Sequence, residues 1–243
     1  MKKRHQEWLV GLLGLVMSAG VFALWSNLDN QVSLFFYDPA LPGFPAKQVA
    51  WVLNIYKLAP MVNQALLLGS VLVLLAAWIK PEGVNAKWHR RCLTWVLMMV
   101  LGIGVVVDWA LKDHVGRARP EHSQTFGGPL ESQPLFEFDQ ACDQNCSFVS
   151  GHAAGGFALM AWGMWAPRRK RQQWLALGVL TGLGIGVMRI AQGGHFLSDV
   201  IFAGWVIWLV YQIIRHTWLH WRLRKLRRNR KQDQQQMEST WNY

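Results

Sequence analysis

Long apolar blocks, separated by short segments in which lysine and arginine collect, leave this chain few folds to choose from. The blocks run from about Trp8 to Trp25, Pro60 to Ile79, Cys92 to Leu111, Gly151 to Ala166, Trp174 to Ile190 and Phe196 to Ile214. Apolar residues fill them instead of recurring at amphipathic spacing, so a helix formed from any one has no face suited to water. A hydrocarbon layer about 30 Å thick takes about 20 helical residues at a time, and within it only helices or closed barrels satisfy their backbone groups. The fold class expected is all-α: a polytopic membrane protein with six transmembrane helices in a bundle. The fourth block is short, and the loop before it is expected to complete that span.

A formal charge of +11 raises the question of a polyanionic partner. Nineteen of the 25 lysines and arginines fall before Trp8, between Lys80 and Arg91, between Arg168 and Arg171, or from Arg215 onward. Six spans place those four segments on one side, which the positive-inside rule makes cytoplasmic. The basic charge is then a topology signal, and nucleic acid is not an expected partner. Residues 1–215 form the helical domain, with an outer loop over 112–150. Residues 216–243 form a basic cytoplasmic tail with Leu219, Leu223 and Leu226 at helical spacing, suited to anionic lipid of the inner leaflet and disordered after Gln232. Between the first two blocks, the prolines of Asp38 to Pro45 preclude a continuous helix, and residues 49–58 read as a short interfacial helix. Gly178, Gly182 and Gly186, four apart, read as a close helix contact. Cys142 and Cys146 lie in the outer loop, where an oxidising compartment allows a disulfide, whereas Cys92 lies at the cytoplasmic end of a span.

The six remaining cations are Lys47, Lys57, Lys112, Arg117, Arg119 and Arg189, and four of them lie in three polar blocks on the outer side. These blocks are Lys112 to Pro120, Ser150 to His152, and Arg189 to Asp199. Lys112, Arg119 and Arg189 can together neutralise a phosphate dianion, the arginine forks matching its oxygens. Ser150 and Gly151 stand where a helix begins and free backbone N–H groups can hold an anion. His195 and Asp199, four apart, share a helix face, so that the carboxylate can orient the ring and leave one nitrogen free to attack. His152 is then the general acid for the leaving oxygen. Taken singly, each residue is more often an interfacial anchor or a hydrogen-bonded surface group; the joint pattern is what points to chemistry. A His/Asp metal site is opposed by the three cations around it, so no metal and no cofactor is expected.

The blocks resemble the type 2 phosphatidic acid phosphatase superfamily, whose signature is K-x6-R-P, then P-S-G-H, then S-R-x5-H-x3-D. Lys112 through Arg119-Pro120 reproduces the first without deviation; Val149 replaces the proline of the second and Met188 the serine of the third. Neither departure falls on a functional position. The resemblance implies a phosphohistidine formed on His195, orientation by Asp199, acid catalysis by His152 and no requirement for metal. Thr125 to Gly128 and the run from Cys142 to His152 are similar in texture to the lipid A 1-phosphatase branch. Phe126, Phe136, Phe138 and Phe148 are candidates for an acyl or prenyl contact, although ordinary interfacial packing is the commoner role for such residues.

The expectation is thus an integral membrane phosphatase of the bacterial inner membrane, both termini cytoplasmic, cleaving a lipid-linked phosphate or diphosphate at a periplasmic-side active site. Undecaprenyl diphosphate, phosphatidylglycerophosphate, phosphatidic acid and lipid A 1-phosphate are the candidate substrates. A lipid-to-lipid phosphotransferase and a non-catalytic lipid-binding or transport protein are the alternatives.

Overall fold

A computed structural model describes residues 2–41, 43–137 and 142–241. Seven helices are named in chain order: α1 (Lys2–Leu24), α2 (Leu28–Leu34), α3 (Ala50–Ile79), α4 (Ala86–Leu97), α5 (Gly151–Ala158), α6 (Arg168–Ala191) and α7 (Leu197–Trp241). Helix α4 continues with π-type winding over Met98–Lys112, and α5 with 3₁₀ winding over Leu159–Gly163. Extended pairing among the described residues is limited to isolated bridges, Asp38 with Gly43 and Ser123 with Leu130.

Five helices, α1, α3, α4 with its continuation, α6 and α7, are long and apolar enough to cross a membrane. Leu9, Val16, Leu68 and Leu72 face outward along α1 and α3, where a lipid-facing surface needs no polar groups. The core lies between α4, α5 and α7, around Trp95, Met98, Val107, Phe157, Val200, Ile207 and Tyr211. Helix α5 and its continuation, the fourth expected span, reach only from Gly151 to Gly163, about 22 Å at helical rise against a hydrocarbon thickness of about 30 Å. Residues 142–150 just before it are not helical and do not lengthen it.

What this short segment lacks in length it has in burial. A Cβ on Gly182 would stand 2.4 Å from the Phe157 ring, and one on Gly178 2.9 Å from the Met160 nitrogen, so α6 lies against α5 as only glycine permits. Gly186 makes the same approach to Val200 of α7. At one end of the bundle, Glu7 receives hydrogen bonds from Arg171 at 2.9 Å and Arg215 at 2.7 Å, bringing the starts of α1 and α6 together with α7. The other end carries the loop after Lys112 and the turn between α6 and α7.

Besides the short fourth segment, the structure departs from expectation in α3. Residues 49–58 are not a separate interfacial helix but the first turns of α3, which passes through Pro60 unbroken. The cost is one intrahelical bond, to the Tyr56 carbonyl four residues back. Helix α7 continues to Trp241, and from Arg215 onward no glycine or proline interrupts a run rich in good helix formers. Of the loop phenylalanines, Phe126 is buried with Phe44, Phe196 and Tyr37, and Phe148 packs against Phe202, whereas Phe136 touches Phe202 and stays exposed; Phe138 lies outside the described residues.

Candidate active site

The turn that joins α6 to α7 needs glycine twice. Gly193 has φ +67°, the left-handed region, and a Cβ on Gly194 would stand 2.2 Å from the Arg189 guanidinium. Arg189 thereby lies against the backbone next to His195, with Nη1 donating to Gln192 Oε1 at 2.6 Å and Nε unpartnered among the described residues.

His195 is 2% exposed. Its Nδ1 is 2.8 Å from the Ser147 carbonyl oxygen, which can only accept, so Nδ1 carries the ring proton and Nε2 keeps its lone pair. Asp199 Oδ2 is 3.6 Å from Nδ1, beyond hydrogen-bond length. The same Oδ2 accepts from the Phe196 N–H at 2.7 Å and from the Ser147 hydroxyl, fixing the residues on either side of the imidazole. Burial comes first among the influences on His195 and, with Arg189 and Arg119 against the pull of Asp199, pushes its pKa down to about 4. The ring is neutral at neutral pH, the state a nitrogen nucleophile needs.

A fully buried carboxylate requires a counter-charge. Arg117 supplies it, donating from Nη1 to Asp199 Oδ1 at 2.8 Å and from Nη2 to Asp29 Oδ2 at 2.7 Å. Burial opposes the Arg117 charge, and the two carboxylates outweigh it and hold the pKa above its ordinary value. Asp29 in α2 also accepts from the Ser198 N–H at 2.8 Å, so the segment after α1 is tied to the first turn of α7.

The other expected residues gather at the same end. Ser150 N-caps α5, its hydroxyl accepting from the Ala153 N–H at 3.5 Å, and its own N–H donates to the Asp199 backbone carbonyl at 3.1 Å. The first N–H groups of α5, at Gly151 and His152, belong to the set that lacks intrahelical partners. Lys112 donates to Asp108 at 2.8 Å, the pairing one turn apart, and reaches over Gly151, where a Cβ would stand 2.7 Å from its Nζ. Arg119 donates twice to the Asn145 carbonyl, at 2.9 and 3.3 Å, and its pKa is lowered by burial. Asn145 lies in the loop closed by a Cys142–Cys146 disulfide, Cα atoms 5.8 Å apart, and the same loop presents Ser147 to His195. His152 stacks on Tyr56 of α3, ring centroids 4.6 Å apart.

All eight residues expected to act on phosphate, Lys112, Arg119, Ser150, Gly151, His152, Arg189, His195 and Asp199, thus occupy one end of the bundle. Four that the sequence reading assigned no role join them: Asp29, Ser147, Tyr56 and Arg117. Arg117 was visible as an outer-side cation within the first block. An acid such as Asp29 next to an apolar block is itself a sign of a buried partner; Tyr56 carries no such sign. The set can bind a phosphate dianion, attack it with a neutral imidazole and protonate a departing oxygen.

Comparison with known proteins agrees with this chemistry. Over 218 residues, 85% of this chain and 95% of the relative, the sequence is 31% identical to the lipid A 4′-phosphatase of Francisella tularensis subsp. novicida (strain U112). It is 35% identical over 126 residues, 52% of this chain and 54% of the relative, to the lipid A 4′-phosphatase of Rhizobium leguminosarum. These relatives bear the 4′-phosphatase name, not that of the 1-phosphatase branch to which the loop texture pointed. No solved structure matches. Residues 91–224, more than half of the chain and all three motif blocks, match the PAP2 superfamily, to which the chain therefore belongs as a membrane phosphatase of phosphoric monoesters.

Proposed function

We propose that this protein hydrolyses the 4′-phosphate of lipid A at the periplasmic face of the bacterial inner membrane, through a phosphohistidine on His195. The observation that carries the mechanism is the hydrogen bond from His195 Nδ1 to the Ser147 carbonyl, which reserves Nε2 for attack within a group of cations. Nε2 attacks phosphorus in line. Arg119, Arg189, Lys112 and the N–H groups at the start of α5 stabilise the equatorial oxygens, and His152 protonates the leaving sugar oxygen. Water then displaces the imidazole from phosphorus and gives a proton back to His152. The lipid A assignment rests on the names of the relatives. It is supported by a cavity of about 240 Å³ beside Lys112 and His152, walled by Asn63 and Gln64 of α3 and by Met99 and Ile103 of the α4 continuation. Polar groups there suit a sugar, and apolar ones suit an acyl chain.

In this reading the segment from Gly151 to Pro167 completes a sixth pass through the bundle. The cytoplasmic side holds Glu7, Arg171 and Arg215, both termini and the basic tail, whose cations near Arg215 meet anionic headgroups of the inner leaflet. The test is to supply purified protein with bisphosphorylated lipid A and to locate the phosphate left on the product by tandem mass spectrometry, in parallel with undecaprenyl diphosphate, phosphatidylglycerophosphate and phosphatidic acid. Free phosphate with loss at the 4′ position is the expected result. Loss at the 1 position, turnover of another lipid alone, or appearance of the phosphate on a second lipid would overturn the substrate or the hydrolase reading.

A further inference from the structure

Tyr56 lies outside the motif blocks and outside the residues that match the family, yet it meets the site in two ways. Its ring is stacked on that of His152, the planes 17° from parallel. The guanidinium carbon of Arg189 lies over the same ring, 4.7 Å from its centroid. The sequence adds a reason to look at its backbone as well. Pro60 stands four residues further along α3 and has no N–H, so the Tyr56 carbonyl lacks the donor that a regular helix would give it. A backbone acceptor in that position is open to a partner from elsewhere, and the His152 ring is the polar group stacked on the same residue.

We infer that Tyr56 is a positioning residue for the general acid, and that Pro60 frees its carbonyl to accept from one ring N–H of His152. With one ring N–H of His152 held by that carbonyl, only the other nitrogen can exchange a proton with substrate. As the bond between His195 and phosphorus forms and the ester bond breaks, that proton passes to the leaving oxygen and His152 is left neutral. In the second step, water adds to phosphorus, the phosphorus–nitrogen bond breaks, and the water proton returns to the same nitrogen. The stacked ring fixes the plane in which both transfers take place, and its contact with Arg189 keeps acid and phosphate clamp in register. The inference rests on the proposed role of His152.

Loss of a general acid is felt only where the leaving group needs a proton. The experiment therefore compares two phosphate esters, lipid A with its alkoxide leaving group and an alkyl-chain-bearing aryl phosphate whose phenolate departs unaided. His152→Ala, Tyr56→Leu, Tyr56→Phe and Pro60→Ala are each measured on both. Tyr56→Leu is expected to lose about 10²-fold in kcat on lipid A but less than about fivefold on the aryl ester. Tyr56→Phe, which keeps the ring and the carbonyl, is expected to restore most of the lipid A rate. Pro60→Ala, which offers the carbonyl a competing N–H, is expected to show the same selective loss in smaller measure. If His152→Ala shows the selective loss while Tyr56→Leu and Pro60→Ala lose both esters alike or neither, the inference about Tyr56 fails alone. If His152→Ala itself shows no selectivity, the acid assignment fails and the inference falls with it.

Discussion

His195 and Asp199 illustrate how a buried site divides labour among single residues. The ring is kept neutral by burial and aimed by a backbone carbonyl, while the carboxylate is engaged with Arg117, Ser147 and the Phe196 N–H. Removing Arg117 would leave two buried carboxylates facing each other without a counter-charge. Arg117→Met is accordingly expected to cost about 3–5 kcal/mol of stability, read as a lowered thermal midpoint in detergent; a loss below about 1 kcal/mol would mean that the network is dispensable. The His195 pKa makes a second prediction. Its folded value of about 4 lies below the ordinary 6.5, so between those pH values the unfolded chain takes up a proton that the native ring refuses. Stability from this residue is therefore undiminished above pH about 6.5 and declines as pH falls toward 4, levelling below that. A ¹⁵N-histidine titration by NMR should place the His195 midpoint near 4; a midpoint at or above 6.5 would contradict the buried, cation-flanked environment.

At the level of elements, α5 is held where it is by the glycines of α6. Gly182→Ala puts a Cβ into the Phe157 ring and is expected to cost about 1–3 kcal/mol, whereas Gly184→Ala, with nothing within 4 Å of the added atom, is expected to be neutral or slightly stabilising. Equal effects in thermal denaturation would count against close α5–α6 packing. This contact was legible in the sequence as a glycine every fourth residue, because a helix repeats on a local scale. The motif blocks and the cysteine pair were legible for the same reason, each being a short spacing. The separation of residues 49–58 from the block that begins at Pro60 was local too, and did not foresee that α3 runs through both and leaves the Tyr56 carbonyl without its helical donor. Likewise the Arg117–Asp29 pair joins residues 88 positions apart, and nothing in either neighbourhood names the other. Helix α7 runs on past Gln232, since a preformed span removes the nucleation cost for residues that follow it without a breaker.

On the scale of the whole molecule, the account requires a polarised protein, with a catalytic end of converging loops and a basic end of charged helix termini. Single cysteines substituted for Glu131 in the loop after Lys112 and for Asp233 in the tail should report this polarity to a membrane-impermeant thiol reagent on intact spheroplasts. Labelling at 131 and protection at 233 is expected; the reverse, or labelling at both, would mean that the passes or the orientation are misassigned. The proposed function centres on one event, the transfer of a phosphoryl group to a histidine. The most direct measurement is rapid quenching of the enzyme with ³²P-labelled lipid A, followed by peptide mapping and ³¹P NMR of the trapped intermediate. An acid-labile phosphate on the Nε2 of His195, absent from His195→Ala, is the predicted result. Label on another residue, on Nδ1, or turnover that persists in His195→Ala would contradict it.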